Sequence, residues 1–144
     1  MTAELHDHAP PNAEAFVIAW LKPLAGAVNK VGVKRWAAGD PLPYRLVTRI
    51  AGADDGYSID NPVVSVHTFA ANDTDARREA DLTHRRMMLL AYDPTHGVTM
   101  ADNSTAFCEF LETVEGPREE PYSAQSVVAR LVARYRLGLS FVAV

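Results

Sequence analysis

Cysteine is nearly absent from this sequence. A single Cys108 among 144 residues cannot form an intrachain disulfide, so no disulfide staples the fold and nothing argues for an oxidising compartment. A surplus of positive charge is missing as well. Fourteen Lys and Arg stand against eighteen Asp and Glu, a net charge of −4, whereas a nucleic-acid binder carries a clear basic excess. No apolar run approaches the ~18 residues that a membrane helix needs. There is no phosphate-binding glycine loop, no dinucleotide fingerprint, no zinc spacing and no nucleophile elbow. The opening MTAELHDHAPP has neither a basic start nor an apolar run, so a signal peptide is not expected there.

What is present fits one domain. The length suffices to bury a core without metal or disulfide, and 48% hydrophobic with 22% charged residues is an ordinary globular mix. Residues 1–11 are expected to form a flexible arm, and residues 12–144 a single α+β domain. Asn12 is a candidate cap for a first helix whose buried face is Phe16, Trp20, Leu21 and Leu24. Pro23 should kink or end that helix. Val31–Arg35 is a candidate short strand, and Gly39–Pro43 a proline-stiffened connector.

Alternation over 44–51 predicts a strand with Tyr44, Leu46, Thr48 and Ile50 on one face and Arg45, Val47 and Arg49 on the other. Ala53–Asp60 forms a hairpin loop, and the β-branched run Val63–Phe69 returns. A second helix over 73–92 is capped by Asn72 or Thr74 and stopped by Asp93–Pro94. Its stripe is Ala76, Ala80, Thr83, Met87, Leu90 and Ala91, and Leu82 and Leu89 beside Arg85 make a second apolar edge. Strands are expected at 106–115 and 127–142. The latter alternates Ala129, Leu131, Ala133, Tyr135, Leu137, Leu139 and Phe141 with Arg130, Arg134 and Arg136, although a helix over 123–134 competes. The fold class is therefore α+β: a mostly antiparallel sheet, two helices packed on it, and a long C-terminal hairpin. Pairing Leu111 with Leu131, Phe107 with Tyr135 and Glu112 with Arg130 satisfies both faces of that hairpin. The polar segment 116–126 becomes its loop.

Candidate chemistry is sparse. His6, Asp7 and His8 form a possible metal grip without a third histidine or a cysteine nearby, so no metal and no cofactor are expected. His67 sits in a strand, His84 on a helix beside Arg85, and His96 in a turn. Cys108 among Phe107, Phe110 and Leu111 should be a buried, inert thiol. The arginine rows could meet an anion, but Glu109, Glu112 and Glu115 on the facing strand favour pairing within the sheet. The residues expected to meet a partner are Leu82, Arg85 and Leu89 on the second helix, and Arg118, Glu119, Glu120 and Tyr122 in the long loop.

Five segments carry a resemblance: Ala19–Leu24, Asp40–Arg45, Leu89–Pro94, Glu112–Arg118 and Ala129–Arg136. In order and content the chain resembles, over most of residues 12–142, the tail terminator proteins of long-tailed phages infecting actinobacteria. The resemblance implies a non-enzymatic virion protein, made in the host cytoplasm, that forms a sixfold ring of identical subunits at the head-proximal end of the tail. Its partners would be itself, the tail tube protein and a head-side neck protein. Genome DNA would pass through the lumen unread, and no membrane would be involved. The alternatives are another head–tail connector protein, or a small oligomeric cellular enzyme or ligand-binding protein with a pocket near His67 and Cys108.

Overall fold

The computed structural model describes residues 3–25, 30–121 and 128–144. In chain order the elements are β1 (His8–Ala9), α1 (Ala13–Ala25), β2 (Val31–Gly32), β3 (Tyr44–Ala51), β4 (Ile59–Asp60), β5 (Val63–Ala70), α2 (Asp73–Tyr92), β6 (Val98–Thr99), β7 (Thr105–Ala106), β8 (Cys108–Glu119), β9 (Ala129–Ser140) and β10 (Val142–Ala143). This is the α+β class, with a largely antiparallel main sheet and two helices.

The spine of the sheet is β9. Along one side it pairs with β5 and then with β4; along the other it pairs with β8 over most of its length. β3 continues the sheet beyond β5, and β2 pairs parallel with β3. The two outermost strands are therefore β2 and β8. Residues 129–134 are strand, so the competing helix is excluded there.

Period-two alternation sorts the side chains as the sequence predicts. Val47, Val64, Val66, Ala133, Tyr135 and Leu137 face one side, where Phe16, Val17, Trp20 and Leu21 of α1 and Met87 and Leu90 of α2 cover them. Asn12 caps α1 through Ala15 N–H (2.9 Å), and Asn72 caps α2 through Asp75 N–H (2.8 Å). Trp20 and Arg86 lock the two helices together. The indole N–H donates to Arg86 O (2.8 Å), Arg86 Nε donates to Trp20 O (2.9 Å), and the guanidinium lies 3.6 Å over the indole. On the opposite face Trp36, Tyr44, Leu46 and Phe69 form a second, smaller cluster, with Leu42 beside it.

Several expectations need correction. They do not include α1, which reaches Ala25, two residues past Pro23 and near where the proline should kink or end it. Ala91, assigned to the stripe of α2, is exposed, and the buried stripe ends one position earlier at Leu90. Gly116 and Pro117 do not turn the chain. They lie inside β8, at a bulge where Glu115 faces Arg134 and Arg118 faces Val132, a position that tolerates proline. The loop therefore begins after Glu119, and its residues 122–127, Tyr122 among them, lie outside the described segments. Moving the turn along shifts the partners of Leu111, Glu112 and Thr113 by six, and the bulges change the shift on either side of them. Leu111 faces Leu137 instead of Leu131, Glu112 faces Arg136 instead of Arg130, and Thr113 takes the place opposite Tyr135 given to Phe107. Six is even, so these three side chains keep their faces, and Glu112 and Glu115 each meet an arginine, while Glu109 takes the Ser140 hydroxyl instead. The arm is not featureless either: His8–Ala9 pairs antiparallel with Val142–Ala143.

Candidate functional site

The arginine rows separate onto opposite faces. Arg45 and Arg49 point to the helix side. Arg45 is fully buried, its Nε donating to Thr83 Oγ1 (2.7 Å) and its Nη2 to Glu79 Oε2 (2.8 Å). Arg49 forms a fork with Asp60, at 2.7 and 2.8 Å. Nothing in a 44–51 alternation pattern distinguishes a buried arginine from a solvated one. The signal was available only by noticing Glu79 and Thr83, one helical turn apart on the helix that covers the strand.

Arg130, Arg134 and Arg136 face the other way, onto the side without helices. There, five side chains form one network. Arg134 donates to Glu115 (2.5 Å), Arg118 donates to the same carboxylate (2.6 Å), and Glu120 lies 3.4 to 4.0 Å from Arg130, Arg118 and Arg134. Two arginines on one carboxylate hold Glu115 below the usual carboxylate range, the hydrogen bond from Arg118 being the main cause. The pairing of acids with arginines expected from the sequence is therefore present, with different partners. Charges matched in this way suit contact with another surface, and Glu120 and Arg130 also line a concavity of about 400 Å³ with Asp73 and Val128.

His67 sits beside this network. Its Nδ1 is 3.5 Å from Arg130, its Nε2 is 3.3 Å from Ser65 Oγ, and its ring stacks on Phe69 at 6.4 Å. Burial, then Arg130, lowers its pKa. A histidine whose folded pKa is depressed takes up its proton more readily in the unfolded chain. Its contribution is complete above the unfolded value near 6.5 and fades as pH falls through the lower folded value. We predict that urea midpoints decline on acidification through this window and that His67→Gln flattens this part of the profile; an unchanged slope in the variant would contradict it.

Cys108 lies on the far side of the sheet from His67, in the helix-side core. It is 2% exposed, and burial pushes its thiol up to about 11. A Cys108–His67 pair sharing one pocket is thereby excluded. We expect negligible modification of Cys108 by a thiol reagent at neutral pH in the folded protein and rapid, stoichiometric modification in guanidinium; fast labelling without denaturant would show the strand to be loosely held.

The remaining candidates fall in three places. Leu82, Arg85 and Leu89 share one side of α2; Arg85 is exposed, and Leu89 is 49% exposed. Leu89 also lines a groove of about 230 Å³ with Trp20, Arg86, Leu90, Tyr92, Asp93 and His96. Arg118 and Glu120 belong to the network on the open face. Glu119 turns to the helix side and meets Arg77 of α2 at 3.6 Å. His84, half-buried on α2, hydrogen-bonds the hydroxyl of Tyr135 (2.8 Å), which satisfies the one polar atom of a fully buried ring. His6, Asp7 and His8 bring three ligand groups within 4.8 Å of one another, all exposed. All three groups are already engaged: His8 Nδ1 meets Asp7 Oδ1, and His6 Nδ1 accepts from His8 N–H.

No protein-family model and no curated protein sequence matches this chain. Among the described residues, no helix is long and apolar enough to cross a membrane.

Proposed function

We propose that this protein is a virion structural subunit. It would form a ring at the head-proximal end of a phage tail tube, stop tube polymerisation and offer the surface that joins the head. One observation carries this most directly. The chain's distinctive chemistry is spread over wide surfaces: the charged open face, where Glu120 and Arg130 also line an open concavity of about 400 Å³, the outward side of α2 and the long strand β8. The sequence resemblance supports the particular assignment, and its five segments fall on the elements that build the sheet and helices. Ala19–Leu24 lies in α1, Asp40–Arg45 leads into β3, Leu89–Pro94 closes α2, and Glu112–Arg118 and Ala129–Arg136 form the β8–β9 hairpin. The partners are further copies of the chain, six in the ring, with the tube protein below and a neck protein above. The net charge of −4 suits a lumen through which DNA must slide without being held.

The role is non-enzymatic. Alanine at His67, His84 or Cys108 should change stability or assembly only; a turnover abolished by one of these changes in a folded variant would overturn it. Negative-stain electron microscopy of the purified protein should show rings, and antibody labelling of particles should mark the junction of head and tail. Labelling elsewhere on the particle, or on none of it, rejects the assignment.

A further inference from the structure

The main sheet ends in two edges of opposite charge. At one edge, β2 is followed by Val33, Lys34 and Arg35, all exposed, with Val33 at 57%. Among the described residues neither Lys34 nor Arg35 has an acidic partner. A groove of about 330 Å³ runs beside them, lined also by Val31, Asp40 and Tyr44. At the other edge, β8 presents Phe110 at 41% and Val114 at 48% exposure between exposed glutamates. Glu109 bonds the Ser140 hydroxyl (2.6 Å), and Glu112 reaches Arg136 only at 3.7 Å, between two exposed side chains. Both edges therefore hold apolar side chains flanked by charge that the subunit itself does not neutralise fully.

The backbone makes the same point. Among the described residues each edge strand has a strand neighbour on one side alone, β3 for β2 and β9 for β8. Among the described residues no strand pairs with the other side of the twelve-residue β8, and such an edge is a template for another chain. Two copies of β8 meeting about a twofold axis would bring two acid-rich strands together, each with four glutamates against one arginine, Arg118, and like charges at close range repel. The basic edge offers apolar contact and the opposite sign.

We propose that copies of this chain associate head to tail, the acidic β8 edge of one subunit seating against the basic Val33–Arg35 edge of the next. This rests on the self-assembly part of the proposed function and supplies its contact. A heterologous contact of this kind, repeated around an axis, closes a ring.

Two charge-reversed variants test it: Lys34→Glu with Arg35→Glu, and Glu109→Lys with Glu112→Lys. Circular dichroism establishes that each is folded, and sedimentation velocity at low salt measures assembly. Each variant alone should assemble about tenfold or more weakly than the parent, because the altered edge meets its own sign. An equimolar mixture should recover assembly, since every contact then joins an acidic edge to a basic one. Parent assembly should also weaken with added salt. Either variant assembling as well as the parent, or a mixture that gains nothing, overturns the proposal. A second pair keeps the test independent of charge. Val33→Cys mixed with Val114→Cys should cross-link with a short bismaleimide, and neither should cross-link alone; self-linking by Val114→Cys would mean a twofold contact and reject the head-to-tail one. A parent chain that stays monomeric at millimolar concentration and low salt also rejects it, and would leave β8 to a basic strand from another protein. Rings on tails formed equally well by both charge variants would sink the edge pairing and leave the phage assignment standing. Intact edge pairing in a chain absent from tails would do the reverse.

Discussion

Glu79→Ala should destabilise the protein by about 3–5 kcal/mol, enough to lower the thermal midpoint by on the order of 10 °C. The glutamate stands over Arg45, whose side chain is wholly withdrawn from water. The carboxylate accepts from Arg45 Nη2 at 2.8 Å, and the carbonyl of the same residue accepts a longer bond at 3.2 Å. Thr83 completes the site, accepting from Arg45 Nε and donating to Glu79 O (2.9 Å). Alanine at 79 keeps the carbonyl but strands a cation in a low-dielectric setting, where the full desolvation cost appears. That cost is already visible, because Nη1 of Arg45 is buried with no acceptor among the described residues. Arg45→Met removes the cation together with its need for a partner, and should cost much less, about 1 kcal/mol or less. Urea midpoints with unchanged m-values would measure both. If the methionine variant is as unstable as the alanine one, the site is held by the shape of arginine and not by its charge.

Gly52→Ala should cost about 2–5 kcal/mol, the sum of left-handed strain and steric displacement. Gly52 has φ +94°, and a Cβ built there falls 2.0 Å from Asn61 O and 2.9 Å from Pro62 Cα. Those are backbone atoms of the link between β4 and β5 and cannot swing aside as a side chain would. Displacing them also disturbs the Arg49–Asp60 fork and the bond from Arg49 Nη2 to Gly52 O (3.0 Å). Gly56 supplies the control. It has φ +86°, yet a Cβ there meets nothing within 4 Å, so Gly56→Ala should show the left-handed strain alone, about 1–2 kcal/mol. Equal losses at the two positions would mean that the approach of Asn61 to Gly52 relaxes easily.

Local signals in the sequence were strong where one face is buried along a regular element. The caps at Asn12 and Asn72, the stop at Asp93–Pro94 and the alternation of β3 and β9 place these elements within a residue or two. Signals that depend on two distant segments were weaker. Gly116–Pro117 has the composition of a turn, and nothing local tells a turn from a bulge in an edge strand. The same limit hid the site chemistry. An arginine at position 45 looks identical whether it faces solvent or Glu79, and His84 gives no sign of the Tyr135 hydroxyl 51 residues away. The pairing of His8–Ala9 with Val142–Ala143 joins opposite ends of the described chain, beyond any periodicity.

The two tryptophans occupy different sides of the same sheet. Trp20 belongs to the helix-side core, with a guanidinium over its ring, whereas Trp36 stacks on Phe69 in the smaller cluster opposite, at 6.3 Å and 19°. Fluorescence thus comes with two built-in reporters that share no neighbour within either cluster. In a Trp20→Phe protein the emission follows the loosening of the open face, and in a Trp36→Phe protein that of the helical layer. Superimposable denaturation curves from the two would show one cooperative unit. Separated curves would reveal a sheet that sheds one covering before the other, and so which face is free to rearrange while the strands stay paired.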